Sequence, residues 1–122
     1  MNEAPGTTAA RARTVNDGVG HSHTISVNGG EMILSDTLDP AVQVRMKKDE
    51  AEILHAFLSV SLKMPHRSDF SEDLREGRRL TLMDHGSPHV RLTGDSWFMD
   101  IYSPSWEPLL CEISLVLPRI RD

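Results

Sequence analysis

The sequence has one cysteine, Cys111, among 122 residues. A lone cysteine excludes an intrachain disulfide and a Cys-based zinc knuckle, and it fits a reducing compartment. No apolar run approaches the roughly 18 residues that a membrane-spanning helix needs. Residues 1–20 hold no continuous apolar stretch of the kind found in a secretory signal. A soluble, cytoplasmic chain with no membrane partner is the expectation. Basic charge is also short: 13 Lys and Arg face 18 Asp and Glu, for a formal net charge of −5. Nucleic-acid backbones are bound through basic stripes, so nucleic acid is not the expected partner. The chain lacks a P-loop, a dinucleotide glycine fingerprint, a nucleophile elbow and a paired-carboxylate signature.

What is present is pattern. Residues 79–102 read as a three-stranded meander. Leu80 and Leu82 share one face, as do Val90 and Leu92, and then Trp97, Met99 and Ile101. Period-two alternation marks half-buried strands. The turn residues His85-Gly86-Ser87-Pro88 and Gly94-Asp95 divide them. Earlier in the chain, His23, Ile25 and Val27 alternate with Thr24 and Ser26. Asn28-Gly29-Gly30 then signals a hairpin over residues 21–35, and Val42, Val44 and Met46 suggest a strand over 41–46. A helix is expected over 49–63, with Asp49 and Glu52 at capping-box spacing and apolar residues at steps of three and four up to Pro65. Asp69 and Glu72 repeat that spacing ahead of Phe70 and Leu74, which suggests a short helix over 70–76 ended by Gly77. Residues 104–118 fit both helical and strand spacing; Ser105 as cap and Pro108 in the first turn favour a helix. The expected fold class is α+β: one antiparallel sheet of five or six strands with two main helices. Residues 1–20 are expected to be a disordered tail and 21–122 a single domain. Both strand groups precede a helix, but their turns and lengths differ, and no internal repeat is read from them.

The residues that can carry chemistry are few. Six histidines invite a metal reading, with His21 and His23 on one strand face and His85 and His89 about a turn beside Asp84. A site needs three or four converging ligands, which this spacing does not supply, so neither metal nor cofactor is expected. Cys111 lies within an apolar run and reads as a small packing residue. Arg75, Arg78 and Arg79 form a basic cluster suited to an anion or a partner's carboxylates; pairing with nearby acids is the plainer expectation. The aromatics are sparse, with two Trp, one Tyr and three Phe. Four of them, Trp97, Phe98, Tyr102 and Trp106, cluster in sequence. Phe98 and Tyr102 flank Asp100 on the face opposite the core, a composition suited to recognition.

The leading expectation is therefore a non-enzymatic protein-binding module, of the inhibitor or toxin-neutralising (immunity-like) kind, acting through Phe98, Asp100, Tyr102 and Trp106. One alternative is a small metal-dependent or His-based hydrolase. A second is an oligomeric scaffold whose uncovered sheet forms the contact.

Overall fold

The computed structural model describes residues 12–16, 22–36, 42–84 and 87–121, with the backbone alone for 12–16 and 22. The chain traces four strands and a helix, twice. Strands β1 (Ala12–Asn16), β2 (Ser22–Asn28), β3 (Glu31–Asp36) and β4 (Gln43–Met46) lead into helix α1 (Lys48–Lys63). Strands β5 (Ser71–Asp73), β6 (Arg79–Met83), β7 (His89–Thr93) and β8 (Phe98–Tyr102) lead into helix α2 (Trp106–Val116). Each set forms its own antiparallel sheet in sequential order, β1-β2-β3-β4 and β5-β6-β7-β8. The class is α+β, but the single sheet of five or six strands is corrected to two sheets of four. The architecture repeats although the sequence does not.

The two strands that raise the count are the first of each sheet. Ala12–Asn16 falls inside the expected tail, yet it pairs with β2 from Ala12 opposite Ser26 to Asn16 opposite Ser22. The remainder of that tail lies outside the described residues. The expected helix over 70–76 is instead β5 followed by a 3-10 turn, Arg75–Gly77. Ser71, Glu72 and Asp73 pair with Thr81, Leu80 and Arg79. The turn needs left-handed backbone, at φ 60 for Glu76 and φ 73 for Gly77, and that conformation stops a helix. Phe70 and Leu74 are four apart, a spacing shared by one face of a helix and one face of a strand. As strand neighbours both pack on the core, and Phe70 stacks on Phe57 with ring centroids 4.1 Å apart.

The other elements follow their patterns. Asn28 pairs with Glu31 across Gly29 and Gly30, at φ +65 and +80, the backbone that a two-residue hairpin requires. The inward residues of both sheets and both helices form one cluster, including Leu34, Leu54, Leu80, Leu92, Ile101 and Trp106. The final segment is helical, flanked by 3-10 turns at Ser103–Ser105 and Leu117–Arg119, the second containing Pro118. The two helices pack on each other.

Helix α1 begins two residues earlier than its capping spacing suggests. Lys47 is the N-cap, and Glu50 rather than Glu52 reaches back to it: Glu50 Oε1 accepts the Lys47 N–H at 3.1 Å. The other oxygen, Oε2, accepts the Arg75 N–H at 3.1 Å and the Arg78 guanidinium. The side chains of Arg78 and Glu50 are 9% and 2% exposed. Removing one partner of a buried ion pair strands the other charge in low dielectric. Glu50→Ala is expected to cost about 3–5 kcal/mol of unfolding free energy, measured by urea denaturation, with Arg78→Ala costing a similar amount. A loss below about 1 kcal/mol would place the pair in the class of solvated surface bridges.

Candidate functional site

Strands β6, β7 and β8 turn Leu80, Leu82, Val90, Leu92, Met99 and Ile101 inward. The register sets the opposite face in three rows. Asp73, Arg79, Thr93 and Phe98 form one, and Ser71, Thr81, Arg91 and Asp100 the next. Met83, His89 and Tyr102 form the third. Directly opposed side chains on one sheet face lie within reach of each other, so each row acts as a unit.

The middle row is an ion pair with fork geometry. Arg91 Nε donates to Asp100 Oδ1 at 2.8 Å, and Nη2 to Oδ2 at 3.0 Å. The hydrogen bonds to Asp100 hold the Arg91 pKa above its ordinary value; partial burial opposes the shift, and Coulombic attraction to Asp100 adds to it. The same guanidinium lies over the Phe98 ring, 4.3 Å from its centroid, a cation–π contact. In the third row the His89 ring sits 4.8 Å from that of Tyr102. His89 Nδ1 lies 3.0 Å from the Ser87 carbonyl oxygen. A carbonyl only accepts, so Nδ1 carries the proton there. Nε2 then points toward Asp100, 3.9 Å from Oδ1. Phe98, Arg91, Asp100, His89 and Tyr102 thus form one continuous string across β7 and β8.

The expected site residues are distributed unevenly. Phe98 is 55% exposed, and Tyr102 and Asp100 are half-buried beside it. Asp100 contributes little net negative charge to the face, because Arg91 neutralises it in place. Trp106 is not on this face. The strand ends at Tyr102, and the 3-10 turn over Ser103–Ser105 rotates Trp106 into the core, where Nε1–H donates to the Ile101 carbonyl at 2.9 Å. Trp97 packs on Gly94 so closely that a Cβ there would lie 2.3 Å from the indole. This leaves the β7–β8 hairpin little freedom.

Arg75, Arg78 and Arg79 do not converge. Arg75 Nη2 bonds Asp49 Oδ2 at 2.7 Å, Arg78 is buried on Glu50, and Arg79 Nε bonds Asp73 Oδ1 at 2.7 Å. A turn and a strand separate their directions, which their adjacency in sequence conceals.

The histidines are scattered. His23 is buried among the core strands, while His21 and His85 lie outside the described residues. His66 Nδ1 meets Asp84 Oδ1 at 2.8 Å on an exposed surface. His55 Nε2 lies 2.9 Å from Ser114 Oγ, joining α1 to α2. Ser114 sits inside a helix whose N–H groups are committed to the helical ladder, so nothing there supplies an oxyanion hole. Cys111, read as a packing residue, is exposed on α2. Among the described residues, no group of three or more His, Cys, Asp or Glu is placed to hold a metal ion. No described helix is long and apolar enough to cross a membrane.

The cross-strand pairing of Arg91 was legible in principle, since it opposes Asp100 once the Gly94-Asp95 turn is placed. Nothing in the spacing sets Arg91 apart from the other arginines, and the residues that stand out, the aromatics, lie on the next strand. No family model matches the chain, and neither a curated protein nor a solved structure matches it.

Arg91→Ala removes the fork from Asp100 and the cation from Phe98. The expected loss is about 1–2 kcal/mol in urea denaturation, with a smaller loss in the Arg91→Ala/Asp100→Ala double variant than in the sum of the singles. Additive losses would mean that the pair carries no coupling.

Proposed function

We propose that this chain is a non-enzymatic protein-binding module that meets its partner on the outward face of the second sheet, around Phe98, Asp100 and Tyr102. One observation carries the reading: a phenylalanine more than half exposed, on a strand, with Arg91 stacked against its ring. An aromatic ring ordered before binding loses little side-chain freedom on contact, and aromatic and Arg anchors dominate interface energies. The inhibitor or toxin-neutralising version adds a basic target. It draws on the net charge of −5 and on Asp95 and Glu107, exposed on either side of β8, rather than on Asp100.

A photo-reactive phenylalanine analogue at position 98 tests the surface in the cells that make the protein. A discrete adduct is expected that excess wild-type protein competes away and a Phe98→Asp variant does not. Absence of an adduct, or equal competition by both proteins, would remove this face from consideration. The hydrolase alternative keeps one largely buried pair, His89 Nε2 at 3.9 Å from Asp100 Oδ1, although Arg91 already holds that carboxylate; its other pairs, His66–Asp84 and His55–Ser114, sit on open surface.

The oligomeric scaffold keeps one specific observation. Leu62, Met64 and Leu115 are exposed large apolar residues on or beside the two packed helices, with Leu110, Cys111 and Leu115 lining a shallow depression against Leu62. If this face joins copies, light scattering is expected to give more than the monomer mass of 13.6 kDa, and Leu115→Glu to restore the monomer. A monomer at high concentration in the wild type would end that reading.

A further inference from the structure

The face around Phe98 ends at a sheet edge, and that edge specifies how a partner is held; this step rests on the reading above. Along an antiparallel pair, every second residue of an edge strand turns its N–H and C=O away from its neighbour. In β8 the phase is set at both ends. The Gly94 N–H donates to the Trp97 carbonyl at 3.0 Å, and the Ser103 N–H to the Pro88 carbonyl at 3.1 Å. Residues 97, 99, 101 and 103 therefore bond to β7. Phe98, Asp100 and Tyr102 direct their backbone groups outward, and β8 is the last strand of its sheet. Among the described residues, no hydrogen bond reaches the backbone of Phe98 or Asp100 from that side.

Two other edges are blunted. In β4 the bond from the Asp36 N–H to the Val42 carbonyl sets Gln43 and Arg45 outward, and the Arg45 carbonyl is occupied by Arg78 Nη1 at 2.7 Å. Strand β5 has three residues, Ser71, Glu72 and Asp73, all exposed and two of them acidic. Short edge strands, charge and capping are the devices that prevent strand addition. Among the described residues, the outward backbone groups of Phe98 and Asp100 in β8 carry no such capping, and the one charge on the strand, Asp100, is paired with Arg91.

We infer that β8 accepts an extended, basic segment of a partner protein as a fifth strand of the second sheet. The basic character follows from charge. From Asp95 to Val116 the chain carries Asp95, Asp100, Glu107 and Glu112 and no Lys, Arg or His. Asp100, although paired with Arg91, is the outermost member of its row, with Arg91 and His89 both on the inner strand β7. A cation opposite it on the incoming strand completes a base–acid–base row, and an apolar residue two positions away meets Phe98. Backbone bonds then give affinity and alternate side chains give selectivity, as in strand-addition recognition generally. A second copy of β8 fits less well: pairing about its middle residue sets Asp100 against Asp100, and like charges directly opposed are destabilising.

The test uses the full chain and a labelled nine-residue peptide of alternating valine and threonine with a central lysine. Companions are a glutamate-centred peptide and two forms of the lysine peptide, each N-methylated on one alternate set of amides. By fluorescence anisotropy the lysine peptide is expected to bind about fivefold more tightly than the glutamate peptide. One methylated form is expected to lose binding while the other keeps it, and hydrogen exchange should slow at the Phe98 and Asp100 amides. The Arg91→Asp/Asp100→Arg exchange keeps the pair but puts the cation at the edge, so it should reverse the peptide preference. No binding by any peptide, or equal effects of the two methylated forms, overturns strand addition. A concentration-dependent dimer that protects the same amides overturns the basic partner in favour of a second copy. The photo-adduct at position 98 reports on the surface whatever the mode. If it persists while the edge result fails, strand addition alone falls; if both fail, the surface falls with it.

Discussion

The carboxylate of Glu50 is the point on which the arrangement of the two ββββα units depends. It is buried, and both of its oxygens are used: one closes the first turn of α1 on the Lys47 N–H, the other holds the Arg75 N–H and the Arg78 guanidinium. Arg78 in turn donates from Nε to the Arg75 carbonyl and from Nη1 to the Arg45 carbonyl. One pair of side chains thus fixes the end of β4, the start of α1 and the turn between β5 and β6. Measured against an apolar replacement of equal volume, a buried ion pair contributes little net stability. Its consequence here is positional. Hydrophobic packing is non-directional, whereas four backbone groups and two charges in fixed geometry hold the first sheet, its helix and the second sheet in one relative placement.

That placement also decides which edges of the sheets remain available. The guanidinium that satisfies Glu50 is the group that occupies the Arg45 carbonyl on the rim of β4. The same turn directs Arg75 to Asp49 and leaves Arg79 to pair with Asp73 across β5 and β6. Three arginines that are adjacent in sequence are spent on holding the units together and closing two rims. The acidic residues Asp95 and Glu107, on either side of β8, lie apart from these three arginines and are exposed.

Much of this fold was legible because its signals are local. Alternation located β2, β3, β6, β7 and β8 to within a residue or two, since each buries one face against the common core. The first strand of each sheet escaped because neither has such a face to show. Every residue of β5 is exposed, and Ala12–Asn16 offers only Val15 as a large apolar residue. The aromatic face was legible as far as the strand continued. Extending it to Trp106 failed because the 3-10 turn after Tyr102 breaks the period of two, and periodicity carries no information past such a turn. The Glu50–Arg78 pair was illegible for another reason: it spans 28 residues, and nothing in the spacing of charges distinguishes a carboxylate that will be buried from one that will not.

The repeated architecture sets two outer sheet faces side by side for comparison. Both units must turn an apolar face inward, so their inner residues are constrained alike. Their outer faces are not. The first sheet shows rows of Thr24, Ser35 and Gln43 and of Ser26, Ile33 and Arg45, with no aromatic ring among them. The second shows Phe98, with Arg91, Asp100 and Tyr102 half-buried beside it and His89 buried against Tyr102. A sheet face that needs only to be wetted is served by threonine, serine and glutamine. Leaving Phe98 55% exposed forgoes part of the roughly 1.5–3 kcal/mol that full burial of such a side chain gives. Among the described residues, the two units of the same design therefore differ on their outer faces, where the second leaves an aromatic ring more than half exposed.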